Sequence, residues 1–387
     1  MRPFRGRVAF PALLLDFAVV LVAAEVGGSV FRRLRLPRVV GMLVAGILLG
    51  PFTPGYVVDL AGIADLALLG AVFLMFSTGL SFDIRTFRRL RAGPFILAGL
   101  GVGASFLLGL GLGLAVGWPL VPSLFVGLVL TSTSSTLGIK FLVDFGLTDS
   151  PGVELVTAAI LIDDVIALSL MTVAVGLSSP GSSPPALLAG LGLLLGLAAL
   201  LVWVGSHALP RILRATDVIS PSSTVTVAVS MALLISFAFA LLGLPPLVGA
   251  FFAGSIIAST EYGHRVTRHM VPVTAIFMGV FFTSIGFLID PARLPGVLAL
   301  ALAAVGVAVV GKVLPGVAVL RRVPGLDASR AWSLSTVLVP RAEISLIIAQ
   351  YGVVIGAPEE LLALAMLVML GTALLPAALV RVPRRKV

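Results

Sequence analysis

The run AAILIDDVIALS at residues 158–169 sets Asp163 and Asp164 side by side in a segment that otherwise avoids charge. Three more ionisable groups lie in similarly apolar surroundings. They are Lys312 in VGVAVVGKVLPGVAVL, and Arg341 and Glu343 in STVLVPRAEISLIIAQ. A hydroxyl cluster, TSTSST at 131–136, occupies another such stretch. A central Asp, Lys or Arg costs about 2.5–3.5 kcal/mol on membrane-insertion scales, so such groups face a cavity and pair with one another. Asp163, Asp164 and Glu343 against Lys312 and Arg341 leave one carboxylate without a permanent partner. That vacancy suits a monovalent cation or a proton. Adjacent helical residues point about 100° apart, so one aspartate can face Lys312 while its neighbour faces water. Neighbouring carboxylates titrate as a coupled pair. Oxygen donors suit a hard cation such as sodium, and the hydroxyls of Thr131, Ser132, Thr133 and Ser134 offer further oxygens. A site that holds either a cation or protons, but not both, exchanges one for the other.

The elements that must position these groups are membrane spans. Of 387 residues, 59% are hydrophobic and 11% charged, against roughly a quarter charged in soluble domains. There is no cysteine, which excludes disulfides and thiolate metal or redox sites. The net charge of +9 sits in short loops between apolar stretches, which fits positive-inside anchoring and not a nucleic-acid face. Counting apolar stretches of about 17–25 residues predicts about thirteen spans. Their centres fall near 18, 46, 71, 104, 131, 163, 196, 232, 252, 279, 308, 342 and 370. Separators carry turn and charge signals, as in RRLRLPR at 32–38, IRTFRRLRAGP at 84–94 and SSPGSSPP at 178–185. Twenty of the 26 Lys and Arg residues fall on the side that also holds the C-terminal tail. That bias predicts an outside N-terminus and a cytoplasmic C-terminus. MRPFRGR before an apolar run has the look of a signal peptide, against which Asp16 within the run argues.

A weak internal repeat adds topology. GMLVAGILLG from Gly41 resembles GAFFAGSIIA from Gly249; FLMFSTGLSFD ending at Asp83 resembles VFFTSIGFLID ending at Asp290. FLVDFG ending at Gly146 resembles LIIAQYG ending at Gly352, so all three offsets lie between 206 and 208 residues. The copies begin seven spans apart, and an odd number inverts one copy relative to the other. The fold class is therefore an all-α polytopic membrane protein made of two inverted-topology repeats. Pro340 removes a backbone donor before Arg341, and TSTSST can satisfy an unwound stretch in the corresponding span. Interrupted, crossing helices at mid-membrane are the expected arrangement.

On these motifs the chain resembles the monovalent cation/proton antiporters, closest to the NapA-type sodium/proton antiporters with the potassium-efflux antiporters as relatives. LPRVVGMLVAGILLGP, FLMFSTGLSFD, TSTSSTLG with IDD, GAFFAGSIIAS, Gly311–Lys312 and PRAEISLIIAQYG carry the resemblance, in order, over nearly the whole chain. The resemblance implies Asp164 as principal cation ligand and proton carrier, and Asp163 as the partner of Lys312. It also implies that Arg341 and Glu343 brace the interrupted span. In relatives with Asn or Gln at the position of Asp163 exchange is electroneutral, so Asp163 implies electrogenic exchange.

Five segments follow. Residues 1–92 and 216–292 would form a scaffold that dimerises, and 93–176 and 293–387 the transporting core, with 177–215 linking them. The resemblance implies alternating access of an elevator-like kind, a homodimer in the cell (inner) membrane and no cofactor beyond the transported ions. It favours sodium over lithium and potassium. The potassium-efflux relatives carry a C-terminal nucleotide-binding domain, and the end at Val387 implies that such regulation is absent or lies on another chain. Membrane prenyltransferases space their aspartates differently, intramembrane aspartyl proteases place them on different spans, and a channel would show a tandem pore loop. His207, His264 and His269 fall in predicted cytoplasmic loops, while Asp16, Glu25 and Asp65 have no assigned role.

Overall fold

The computed structural model describes residues 9–34, 36–53, 55–57, 59–81, 92–177, 192, 196, 200, 211–214, 221–242, 244–341 and 343–380. Among them the secondary structure is helical, and seven helices are long and apolar enough to cross a membrane. The predicted span near 196 and the loop at 84–94 lie largely outside the described residues. Asp83 and His207 lie outside them altogether. The chain divides into two compact units.

One unit comprises residues 1–30, 41–89 and 188–288. It holds most of α1 (Ala9–Arg33) and α2 (Arg38–Leu49), and all of α3 (Leu60–Leu80), α8 (Pro221–Leu241), α9 (Pro246–Ala258) and α10 (Gly263–Phe287). The small residues of the repeated motifs let backbones touch. Gly79 on α3 lies against the Phe251 backbone of α9, and Gly254 on α9 lies in turn against the Phe76 carbonyl of α3. Gly46 on α2 and Gly286 on α10 make the same reciprocal approach. Packing of this kind replaces the hydrophobic drive that lipid cannot supply. Asp16 acts close to the start of α3. Its Oδ2 accepts the Asp59 amide at 2.6 Å, and Asp59 caps α3 by accepting the Gly62 amide at 2.9 Å. Glu25 accepts from the Ser29 hydroxyl on its own helix at 3.1 Å, and Asp65 is exposed.

The other unit comprises residues 31–40, 90–187 and 289–387. It contains α4 (Ala92–Ala115), α5 (Leu120–Val129), α6 (Ser135–Asp144) and α7 (Val153–Leu177). A short 3-10 turn at Pro291–Arg293 then leads into α11 (Leu294–Leu320). There follow α12 (Ala328–Thr336), α13 (Glu343–Val354), α14 (Glu360–Leu374) and α15 (Pro376–Leu379). The apolar stretches centred near 131 and 342 are each two short helices around a break: α5 and α6, and α12 and α13. At the first break the amides of Leu130 and Thr131 tighten onto the carbonyls of Gly127 and Leu128, three residues back. Ser134 then starts α6 by accepting the Leu137 amide on its hydroxyl at 3.3 Å. At the second, Val337, Leu338 and Val339 tighten in the same way before Pro340, which has no amide to continue the ladder.

Candidate cation and proton site

All of the sequence-predicted site residues belong to the second unit, and its elements meet at the two breaks. The Ser134 amide donates to the Pro340 carbonyl at 2.8 Å, so each interruption satisfies a backbone group of the other. The Ser345 hydroxyl on α13 donates to the Val129 carbonyl at the end of α5 at 2.8 Å and lies 3.0 Å from the Ser132 hydroxyl. The Thr131 hydroxyl stays local, donating to Leu128 at 2.7 Å. A broken helix buried in apolar surroundings survives only where its freed groups find such partners.

α7 carries the carboxylates to this crossing. Asp163 is 1% exposed and Asp164 3%, so both lie inside the protein. Lys312, 1% exposed, reaches from α11 and donates to Asp163 Oδ2 at 2.5 Å. The Thr133 hydroxyl lies 2.7 Å from the same Oδ2 and 3.1 Å from the Leu338 carbonyl, and its single proton serves one of them at a time. Asp163 Oδ1 is buried with no hydrogen-bond partner among the described residues. One oxygen of this carboxylate is therefore saturated and the other open. A buried ion pair holds only when its charges are well paired and its remaining positions are satisfied. Here the second condition is only half met.

Arg341 is fully buried (0% exposed), and the described hydrogen bonds of its guanidinium go to backbone carbonyls. Nη1 donates to the carbonyls of Leu338 at 3.0 Å and Val339 at 2.8 Å. A cation is thus fixed at the carbonyl-bearing end of α12, where the helix dipole is negative. The Arg341 amide donates to the Thr372 hydroxyl of α14 at 3.1 Å. Glu343 opens α13, but its side chain lies outside the described residues, so the expected brace to Arg341 has no described geometry.

The structure brings Asp163, Thr133 and Lys312 into direct contact and joins Ser132 to the second break. It places Asp164 beside them on α7. Sequence reasoning missed Ser345 and Thr372, which hold the breaks together. The signal available was small polar residues inside apolar runs, as in EISLIIAQ and VMLGTAL.

The chain and its fold have counterparts among known proteins. Residues 18–381 match the family described as sodium/hydrogen exchanger, transmembrane. The chain is 30% identical over 368 residues to the Na(+)/H(+)-K(+) antiporter GerN of Bacillus cereus, covering 93% of this chain and 94% of GerN. It is also 30% identical over 346 residues to the putative cation/proton antiporter YbaL of Escherichia coli. That match covers 87% of this chain but spans only 62% of the length of YbaL. Among solved structures, the sodium proton antiporter MjNhaP1 of Methanocaldococcus jannaschii superposes with a TM-score of 0.70 at 14% identity. It covers 95% of this chain and 96% of its own, which shows a shared fold. With a family match over nearly its whole length, this multi-pass membrane chain belongs to the sodium/hydrogen exchanger family.

Proposed function

We propose that the protein is a secondary transporter that exchanges sodium for protons, and that Asp164 carries both. The observation behind this reading is a buried carboxylate pair, one member of which is held by a lysine at the crossing of two broken helices. Asp164 supplies the negative charge that a cation neutralises, or that a proton cancels in its absence. Asp163, held on one oxygen by Lys312 with the Thr133 hydroxyl beside it, offers its open Oδ1 as a further donor atom. Hydroxyls from the first break supply neutral oxygens of the kind hard cations take. The family membership and the similarity to GerN support the same reading.

In this reading the unit holding the site carries the cargo, and the other unit is the scaffold through which two copies pair. Alternating access moves one against the other, in the cell membrane, with the C-terminus in the cytoplasm. Potassium is the second reading for the cargo, favoured by the potassium in the name of GerN. Proteoliposomes with an internal pH dye decide between them. Addition of sodium should release protons across the membrane with a lower half-saturating concentration than potassium. The reverse order makes potassium the cargo, and no proton movement with any cation removes the exchange reading.

A further inference from the structure

The face of α4 near Lys312 carries two features that the exchange site does not use. The first is Gly101. A Cβ there would lie 3.2 Å from Lys312 Cδ and 3.6 Å from Nζ, so the lysine stem runs along bare backbone. The second is Ser105, four residues on and fully buried, whose Oγ has no hydrogen-bond partner among the described residues. A serine hydroxyl inside a helix commonly bonds a carbonyl of the preceding turn, and a buried polar atom left unpaired is destabilising. Ser105 also packs directly against Gly311, since a Cβ on Gly311 would lie 2.7 Å from Ser105 Oγ. Consecutive Cα atoms are about 3.8 Å apart, so the Lys312 arm starts beside this hydroxyl. From that root the stem extends past Gly101 to Asp163.

We propose that Ser105 Oγ is a second seat for the Lys312 ammonium, taken whenever the Lys312–Asp163 bond is open, and that Gly101 is the notch the arm passes through. An ammonium carries three protons and no acceptor, and Ser105 Oγ is a buried acceptor with nothing on it among the described residues. Folding back matches the two. The proposal rests on the exchange reading for its role, because a cycle in which this pair opens must place a buried cation somewhere. Its first test does not depend on transport.

That test is a double-mutant cycle on purified protein, read as Tm. Ser105→Ala alone should leave Tm unchanged or raise it, because it deletes an unpartnered polar atom. In an Asp163→Asn background the hydroxyl should be the partner of Lys312. There, Ser105→Ala should lower Tm by more than about 2 °C beyond the sum of the single changes. Additive effects overturn the seat. A second readout keeps Asp163 intact. In liposomes Ser105→Ala should lower the maximal exchange rate roughly threefold or more with sodium KM unchanged. A variant rate equal to that of an actively exchanging parent also overturns the seat. A parent that exchanges nothing removes the exchange reading, and the thermal cycle still decides the seat.

Discussion

The Ser134 amide and the Pro340 carbonyl meet at 2.8 Å, and through that bond the break in one helix closes the break in the other. Around it Ser345 donates to the Val129 carbonyl, and Arg341 to those of Leu338 and Val339. These bonds tie the two breaks together, while the aspartate pair and Lys312 sit on the neighbouring helices α7 and α11.

Asp164→Asn should abolish cation-dependent proton movement, because an amide neither ionises nor carries a proton. The variant should still insert and fold, since Asn is less costly than Asp inside a membrane. Dye-reported exchange in liposomes measures it, and near-normal exchange would remove Asp164 from the centre of the mechanism.

Acid should act as a competitor. When protons and sodium contend for one carboxylate site, lowering the pH raises the apparent sodium KM, and saturating sodium restores the full rate. Rate curves at several pH values decide this. A maximal rate that drops with acid at constant KM would point to a separate sensor, such as His264 or His269.

Lys312→Gln should be poorly tolerated alone, because it strands Asp163 in a buried position. Breaking such a pair costs about 3–5 kcal/mol. Combining it with Asp163→Asn should recover stability and keep Asp164 working, but lose the response to membrane potential. An imposed potassium-valinomycin potential measures that response, which is worth about 2.3 kcal/mol per charge per 100 mV. If exchange by the parent ignores the potential, the second aspartate is structural.

Ser345→Ala should destabilise by about 1–3 kcal/mol, since it leaves the Val129 carbonyl without its donor. Thermal unfolding of the purified variant checks this, and an unchanged Tm would show that the hydroxyl does not hold the first break.

Two glycines should respond in opposite senses. Gly254→Ala forces a methyl into the Phe76 backbone and should lower Tm, whereas Gly103 has nothing within 4 Å of an added Cβ. Gly103→Ala should be neutral or stabilise α4 by up to about 1 kcal/mol through helix propensity. A Gly254→Ala Tm equal to that of the parent would show that the α3–α9 contact yields easily.

The aspartate pair and Pro340 were legible in the sequence because each breaks a strong rule, a charge among apolar residues or a proline within a span. The all-helical class followed from composition, and short elements such as α2 and α9, of 12 and 13 residues, kept recognisable centres. Three hydroxyls outside the TSTSST cluster were not legible individually. Ser105, Ser345 and Thr372 look alike in sequence, because a serine or threonine in an apolar helix has its own backbone as a default partner. They part company only in space. Ser345 crosses to Val129, Thr372 takes the Arg341 amide while bonding its own helix, and Ser105 bonds nothing described. The stem of Lys312 along Gly101 was equally hidden, since a glycine notch has no signature until the neighbouring helix is in place.

The bonds that knit the two breaks join residues far apart in the chain: 205 for Thr133 to Leu338, 213 for Ser132 to Ser345 and 216 for Ser345 to Val129. During synthesis, α5 and α6 therefore emerge more than two hundred residues before the groups that complete them. Until α12 and α13 arrive, the unwound stretch at 130–134 must borrow hydrogen bonds from water or from the insertion machinery. A nascent chain arrested before residue 337 should accordingly leave that stretch open to chemical labelling, and release past α13 should protect it. The crossing thus bears on biogenesis as well, because the candidate ion site closes with almost the last helices to be made.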